Sequence, residues 1–298
     1  MTLFGAIEAG GTKFVCGIGD ARGGSIETAV VSTRDPDSTF AEVAEFFAQA
    51  TRQGPIGGIG IASFGPVELN PAAPRFGQIL ATPKAHWQGA DMLARTRAIL
   101  DVPMVIETDV NAAALAEAAA AGPGVKQLAY VTVGTGIGVG LMSEGHPVHG
   151  LGHPEAGHIL PRRHPLHDGF AGICPFHGDC LEGLASGPAI AAAWGSAAQD
   201  LPDDHPFRAV EADYLSQLCM TLFLMMAPER IVLGGGVMKQ DKLFPMIHAC
   251  TAELLGGYFG GATTAEDMAA RIVPPACTEP SGLIGAYLLA EKAARDAA

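Results

Sequence analysis

Basic residues are scarce in this chain: 18 Lys and Arg stand against 31 Asp and Glu in 298 residues, for a formal net charge of −13. A nucleic acid as main partner would require a basic stripe, and that balance speaks against one. Nucleotide phosphates ask for less, because a magnesium ion and local backbone N–H groups offset their charge. Cysteine is sparse as well, with six in the chain, too few for a disulfide scaffold. No apolar run approaches the ~20 residues that span a bilayer. The segment Met1-Thr2-Leu3-Phe4 lacks the basic flank and long apolar stretch of a secretory leader. The expectation is a cytoplasmic protein with neither a membrane nor a nucleic acid among its partners. Charged residues make up only 16% and the hydrophobic set 48%, which excludes wholesale disorder.

What the chain does have is glycine, 39 residues of it, much of it clustered beside apolar runs. That is the pattern of tight turns between strands, or of backbone that approaches a ligand closely. Leu3 to Ala9 and Thr12 to Gly19 flank Gly10-Gly11 and read as a β-hairpin, with Ile26 to Ser32 as a third strand. Thr39-Phe40-Ala41-Glu42 has capping-box spacing and predicts a helix from Thr39 that ends near Gly54-Pro55. Ile56 to Ala62 and Val102 to Glu107 read as strands, and Asn111 to Ala121 as an alanine-rich helix. A second hairpin follows, Leu128 to Val133 and Ile137 to Met142 around Gly134-Thr135-Gly136. An irregular His- and Pro-rich stretch, His146 to Gly183, leads to helices near Pro188–Trp194 and Arg208–Met226. A strand at Arg230–Leu233, a helix near Asp241–Leu255 and a last one near Leu283–Ala294 complete the pattern.

Two halves that each open with a hairpin imply two similar α/β lobes, with ligands expected in a cleft between them. The first lobe is expected over residues 1–118, with the helix 283–298 returning to it. The second is expected over 119–282 and carries the His- and Cys-rich loop.

Ala9-Gly10-Gly11-Thr12-Lys13 joins two strands and can present its N–H groups as an anion nest, with a hydroxyl from Thr12 and a cation from Lys13. An ordinary hairpin turn also accounts for it, as it does for Gly134-Thr135-Gly136. Gly234-Gly235-Gly236 after a strand is either a loop or a place where a flat ring lies on backbone. Together, at matching places in two lobes, the three form a stronger pattern than any one. Glu107-Thr108-Asp109-Val110-Asn111 closes a strand and opens a helix. Asp109 or Asn111 serves there as a helix cap, or Asp109 accepts the proton of an attacking hydroxyl. An Asp at a helix N-terminus is a weak base, which suits a loose phosphoryl transition state.

Seven of the ten histidines fall between His146 and His177. Within that stretch, Cys174-Pro-Phe-His177-Gly-Asp-Cys180 is a C-x2-H-x2-C run with His158 upstream. Two thiolates and two imidazoles make a closed tetrahedral set for structural Zn²⁺. His146, His149, His153, His164 and His167 read as loop or surface residues. Glu155 and Glu182 flank the run and, with His158, can bind several hydroxyls of a sugar.

These motifs resemble the ROK family (repressors, open reading frames and kinases), and in particular its bacterial fructokinases. Ile7 to Lys13 is similar to the family's first phosphate loop, Gly134 to Gly138 to the second, and Val232 to Gly236 to its adenosine-side segment. Asp109 falls where the family has its catalytic base. Glu155-Ala-Gly-His158 resembles its E-x-G-H sugar motif, whose histidine is also a zinc ligand, and Glu182 a sugar-contacting glutamate. Several features depart from the glucokinase pattern and resemble the fructokinase branch: Glu8, Thr108, His177, Ala62-Ser-Phe-Gly-Pro-Val67 and Thr82-Pro-Lys84. The resemblance implies an actin-like ATPase fold of two ribonuclease-H-like lobes, and a homodimer. It implies Mg-ATP, with Glu8 acting on Mg²⁺ through water, and a hexose held by Ser63, Gly65, Asp109, Glu155, His158 and Glu182. A sugar-responsive repressor of the family would carry a helix-turn-helix before the first loop, where only six residues stand. Kinases for mannose, glucose or N-acetylmannosamine stay open, because specificity rests on how a few polar groups meet each hydroxyl.

Overall fold

The computed structural model describes residues 2–20, 24–260 and 264–298. They divide into two compact units: Met1–Ala120 with His146–His153 and Cys277–Ala298, and Ala121–Gly145 with Pro154–Ala276.

In the first unit, strands β1 (Leu3–Ala9), β2 (Lys13–Asp20), β3 (Gly24–Ser32), β4 (Ile56–Ser63) and β5 (Met104–Thr108) form a sheet in the order β3-β2-β1-β4-β5. The chain reverses at Gly10-Gly11, so β1 and β2 are antiparallel, and β3 pairs antiparallel with β2 in turn. Strands β4 and β5 instead arrive through helices α1 (Pro36–Ala50) and α2 (Met92–Ile99), so they run parallel to β1. Ala9 sits opposite Ser63, and Ser63 opposite Thr108. Three parallel strands therefore end in one row, and Gly10, Phe64 and Asp109 leave the sheet side by side.

Adjacent residues of β1 point to opposite faces and enter different cores. Ile7 joins Phe14, Phe47, Ile59, Ile61 and Trp87. Ala6 joins Val15, Ala62, Ala112 of α3 (Asp109–Ala121), and Leu283, Ala286 and Tyr287. The last three belong to the final helix, Ser281–Asp296. Missing side chains let that helix approach closely: a Cβ at Gly60 would lie 1.9 Å from the Ala286 carbonyl oxygen, and one at Gly285 1.9 Å from that of Ala112.

The second unit repeats the plan. Strands β6 (Leu128–Val133) and β7 (Ile137–Ser143) form an antiparallel hairpin. On the far side of β6, β9 (Arg230–Gly234) and β10 (Ile272–Val273) add in parallel, giving β10-β9-β6-β7. The two-residue strand β8 (His146–Pro147) opens the segment that groups with the first unit. Helices α4 (Leu181–Ala185), α5 (Gly187–Trp194), α6 (Phe207–Met226), α7 (Leu243–Leu255) and α8 (Ala265–Ala269) complete this unit, and the final helix of the first is α9. Among the described residues no helix is long and apolar enough to cross a membrane.

Three expectations need correction. Helix α1 starts at Pro36, not Thr39: Asp35 is its cap, accepting from Ser38 N at 2.9 Å, and Pro36 takes the first helical position. Thr39 lies inside the helix, its hydroxyl accepting from Arg34 N at 3.0 Å, so no capping box forms with Glu42. The expected lobe boundaries, 1–118 with 283–298 and 119–282, miss two segments that the contacts group with the first unit. Residues 146–153 bind there through His149 on Glu107 (2.8 Å) and His153 on Val67 N (3.2 Å). Residues 277–282 do so through buried Glu117, which accepts from Ser281 Oγ at 2.6 Å and Cys277 N at 3.4 Å.

Candidate active site and metal centre

The β1–β2 turn has its carbonyls occupied. Thr33 Oγ1 donates to Gly10 O at 2.8 Å, Thr33 N to Thr12 O at 3.0 Å, and Lys84 Nζ to Gly11 O. Gly10 N donates to Lys13 O at 3.0 Å. Among the described residues, the N–H groups of Gly11 and Thr12 donate to no protein group. Thr12 and Lys13 are exposed. Two residues before Gly10, Glu8 lies against the start of α9, where a Cβ at Gly282 would come within 2.4 Å of its Oε1. Burial raises its pKa, and the charge of Lys13 partly offsets this.

At the end of β5, Asp109 is half-buried and its Oδ1 accepts from Val110 N at 2.9 Å. Neither Asp109 nor Asn111 is the cap of α3. Thr108 fills that place, its hydroxyl accepting from Asn111 N at 3.1 Å. The row of strand ends brings Asp109 beside the Ser63–Gly65 segment. Ser63 is fully buried and its hydroxyl donates to Phe64 O at 2.9 Å. Gly65 precedes a cis peptide to Pro66 and faces the imidazole of His153, 3.2 Å from where a Cβ would stand.

The sequence did not single out Glu107, although a carboxylate between buried Ile106 and Thr108 needs partners. It has them: Oε1 accepts from Thr108 N at 2.8 Å and Asn111 Nδ2 at 3.0 Å, and Oε2 meets His149 Nε2 at 2.8 Å. His149 and His153 are thus fasteners of this loop, not loose surface residues. His167 is buried among Phe170, Trp194 and Tyr214. The hydrogen bond to Glu107 raises the pKa of His149, against some desolvation. A raised folded pKa stabilises the chain fully below the unfolded imidazole value of ~6.5, and the contribution is lost as pH rises through the folded value. An NMR titration should place His149 above ~6.5 in the wild type and lower in Glu107→Gln. Equal values in the two proteins would show that the pair does not hold in solution.

In the second unit, Thr132 of β6 sits opposite Gly234 of β9, so two glycine segments again leave the sheet together. Gly134 N donates to Gly136 O at 2.9 Å, and Gly187 N, at the start of α5, to Gly134 O at 2.8 Å. Gly235 has φ +92°, and a Cβ there would lie 2.4 Å from Val133 O, so only glycine fits. Glu182 Oε2 accepts from Ile137 N at 2.9 Å, directly after the turn. Desolvation, and then the charge of Glu182, push Glu155 up to about 7.

His158, Cys174, His177 and Cys180 converge with their ligand atoms all within 4.8 Å of one another. His158 Nδ1 lies 3.3 Å from Cys180 Sγ and 3.8 Å from Cys174 Sγ, which lies 3.7 Å from His177 Nδ1. Those separations match the edges, about 3.3–3.8 Å, of a tetrahedron whose ligands bond a metal at about 2.0–2.3 Å. Burial first, then Cys174, push the Cys180 thiol up to about 11, so the protein alone disfavours the thiolate and a dication would supply the balance. The cluster is compatible with a structural metal ion.

The model of the ROK family matches residues 4–293. The chain belongs to the ROK family. Two ROK relatives are similar along almost the whole chain. The fructokinase of Zymomonas mobilis is 41% identical, covering 97% of this chain and 96% of its own. The fructokinase of Pediococcus pentosaceus is 40% identical over 99% and 100%. Among solved structures, the ROK hexokinase from Thermus thermophilus covers 99% of this chain and 100% of its own, with a TM-score of 0.77 at 24% identity. This ROK chain has the actin-like ATPase fold, and the two sheets with one strand plan are its ribonuclease-H-like lobes.

Proposed function

We propose that this ROK protein is an ATP-dependent hexose kinase acting on fructose, transferring the γ-phosphoryl group to give fructose 6-phosphate and ADP. The observation that carries the reading is the shared sheet edge of the first unit. There the open N–H groups of Gly11 and Thr12 emerge in the same row as the carboxylate of Asp109. An anion nest beside a base is what phosphoryl transfer needs, since the enzyme mainly positions groups and stabilises charge.

In this reading Gly10, Gly11, Thr12 and Lys13 bind phosphate, as do Gly134, Thr135 and Gly136. Gly234, Gly235 and Gly236 take the adenosine side. Glu8 acts on Mg²⁺ through water, since magnesium dehydrates reluctantly. Asp109 orients the attacking hydroxyl. Ser63, Gly65, Glu155, His158 and Glu182 serve the sugar, Ser63 through shape, because its hydroxyl is already engaged. The metal held by His158, Cys174, His177 and Cys180 is zinc, to which two thiolates and two imidazoles are suited.

Steady-state kinetics on fructose, mannose, glucose and N-acetylmannosamine under identical Mg-ATP test the substrate. Fructose should give the highest kcat/KM. A misplaced hydroxyl leaves a buried polar partner unpaired, which costs about 1–3 kcal/mol, or roughly tenfold to hundredfold. A higher kcat/KM for glucose would remove the fructose assignment and leave a sugar kinase. No turnover with any sugar would remove both.

A further inference from the structure

We infer that Lys84 and Thr33 are positioning residues for the first phosphate turn. By holding the carbonyls of Gly11 and Gly10 they aim the N–H groups of Thr12 and Gly11 at the nucleotide phosphates. The inference rests on the reading of that turn as the phosphate site, and it adds two side chains that its glycine motif does not contain.

The reasoning starts from peptide geometry. A trans peptide is planar, and its C=O and N–H point in opposite directions. Thr33 Oγ1 holds Gly10 O at 2.8 Å, so the N–H of Gly11, in the same peptide, faces away from Thr33. The Lys84 ammonium holds Gly11 O, so the N–H of Thr12 faces away from Lys84. Thr33 N takes the next carbonyl, that of Thr12, at 3.0 Å. Three successive carbonyls are thus tied to protein, while the two N–H groups between them are tied to nothing among the described residues. A Gly-Gly turn does not hold such an arrangement unaided, because glycine samples both signs of φ at little cost.

An exposed lysine that touches a carbonyl is usually worth little. Lys84 differs because the turn that carries it is fastened from below. Trp87 is fully buried, its ring centroid 5.4 Å from that of Phe14 and 5.3 Å from that of Phe64. Its indole N–H donates to Arg34 O at 2.6 Å. Lys84 N donates to Thr82 Oγ1 at 3.3 Å, and Trp87 N to Lys84 O at 3.3 Å, closing the turn between them. Phe14 follows Lys13 on β2, and Phe64 follows Ser63 at the end of β4. The aromatic anchor therefore seats Lys84 on the same sheet edge that the phosphate turn leaves.

The test uses the full chain and three variants: Lys84→Met, Lys84→Arg and Thr33→Val. Binding of Mg-ADP and of adenosine is measured by calorimetry, with KM for ATP and fructose alongside. Lys84→Met should weaken ADP binding and raise the KM for ATP about tenfold, the scale of one charge-assisted hydrogen bond. Adenosine affinity and the KM for fructose should stay within about twofold, as only contacts to phosphate are lost. Lys84→Arg should recover most of the loss, and Thr33→Val should weaken ADP but not adenosine. Lys84→Met that binds ADP as the wild type does would overturn the inference. So would equal loss of ADP and adenosine, which marks general damage to the unit. A wild-type protein that binds no ADP would instead bring down the phosphate-site reading itself, and the inference with it.

Discussion

Asp109→Asn should lower kcat by about 10²–10⁴ and leave the KM for fructose within about twofold, the usual cost of losing a general base. The structure makes this substitution a clean one. Asn keeps the side-chain oxygen that accepts from Val110 N, and the cap of α3 is Thr108, not Asp109. Thermal stability should therefore hold within about 2 °C, since the cap and the acceptor for Val110 N are both kept. Thr108→Ala is the complementary variant: it should lose about 1 kcal/mol of stability through the cap and keep most of the rate. Both are read by steady-state kinetics and thermal melts. An Asp109→Asn enzyme that retains more than about a tenth of wild-type kcat would assign the base elsewhere.

Cys180→Ala should lose about one equivalent of zinc per chain and lower the Tm by on the order of 10 °C, because metal binding and the folding of its loop are one event. Between β8 and α4 regular structure is short, limited to the 3₁₀ turns Ala156–His158 and Pro165–His167 and the bridge of Cys174 with Gly178, so the metal would be the main tie among the four ligand side chains. Glu155, Glu182 and the glycine turn at Ile137 all take their positions from this loop or from α4. Cys219→Ala serves as control, since Cys219 is buried in α6 and absent from the cluster. Metal is counted by elemental analysis of protein purified without added zinc. Wild-type protein free of zinc, or a Cys180→Ala protein that retains it, would remove the assignment.

The parts of the fold that rest on local chemistry were readable in advance. Gly10-Gly11 and Gly134-Thr135-Gly136 each interrupt two apolar β-rich runs, and both are hairpin turns. Residue spacing alone brought His158, Cys174, His177 and Cys180 together, because a closed ligand set leaves a local pattern. Helix α2 was not readable: its exposed face is polar and only Met92, Leu93 and Thr96 are buried, so its apolar period is too faint. The start of α1 was missed although Asp35-Pro36 carries a cap and a first-turn proline, because Thr39 and Glu42 offered a rival of the same form. Glu107 with His149, and Lys84 with Gly11, pair residues far apart in the chain, and no local pattern announces such partners. What spacing does not announce is therefore these long-range pairs, while the glycine turns and the Cys/His cluster carry motifs of their own.

The order in which the ribosome delivers this chain matters for the face of the first sheet that α9 covers. Ala6, Val15, Ala62 and Ala112 are all made early, but Leu283, Ala286 and Tyr287, which shield them, emerge only after the second unit has been synthesised. Until then that flat, small-residue surface faces water, with Gly60 open where Ala286 will lie. The second unit, apart from residues 146–153, is complete in one stretch and needs no such wait. The nascent first half is thus the species with the larger uncovered apolar face, and a chain truncated before α9 should aggregate more readily than the full chain.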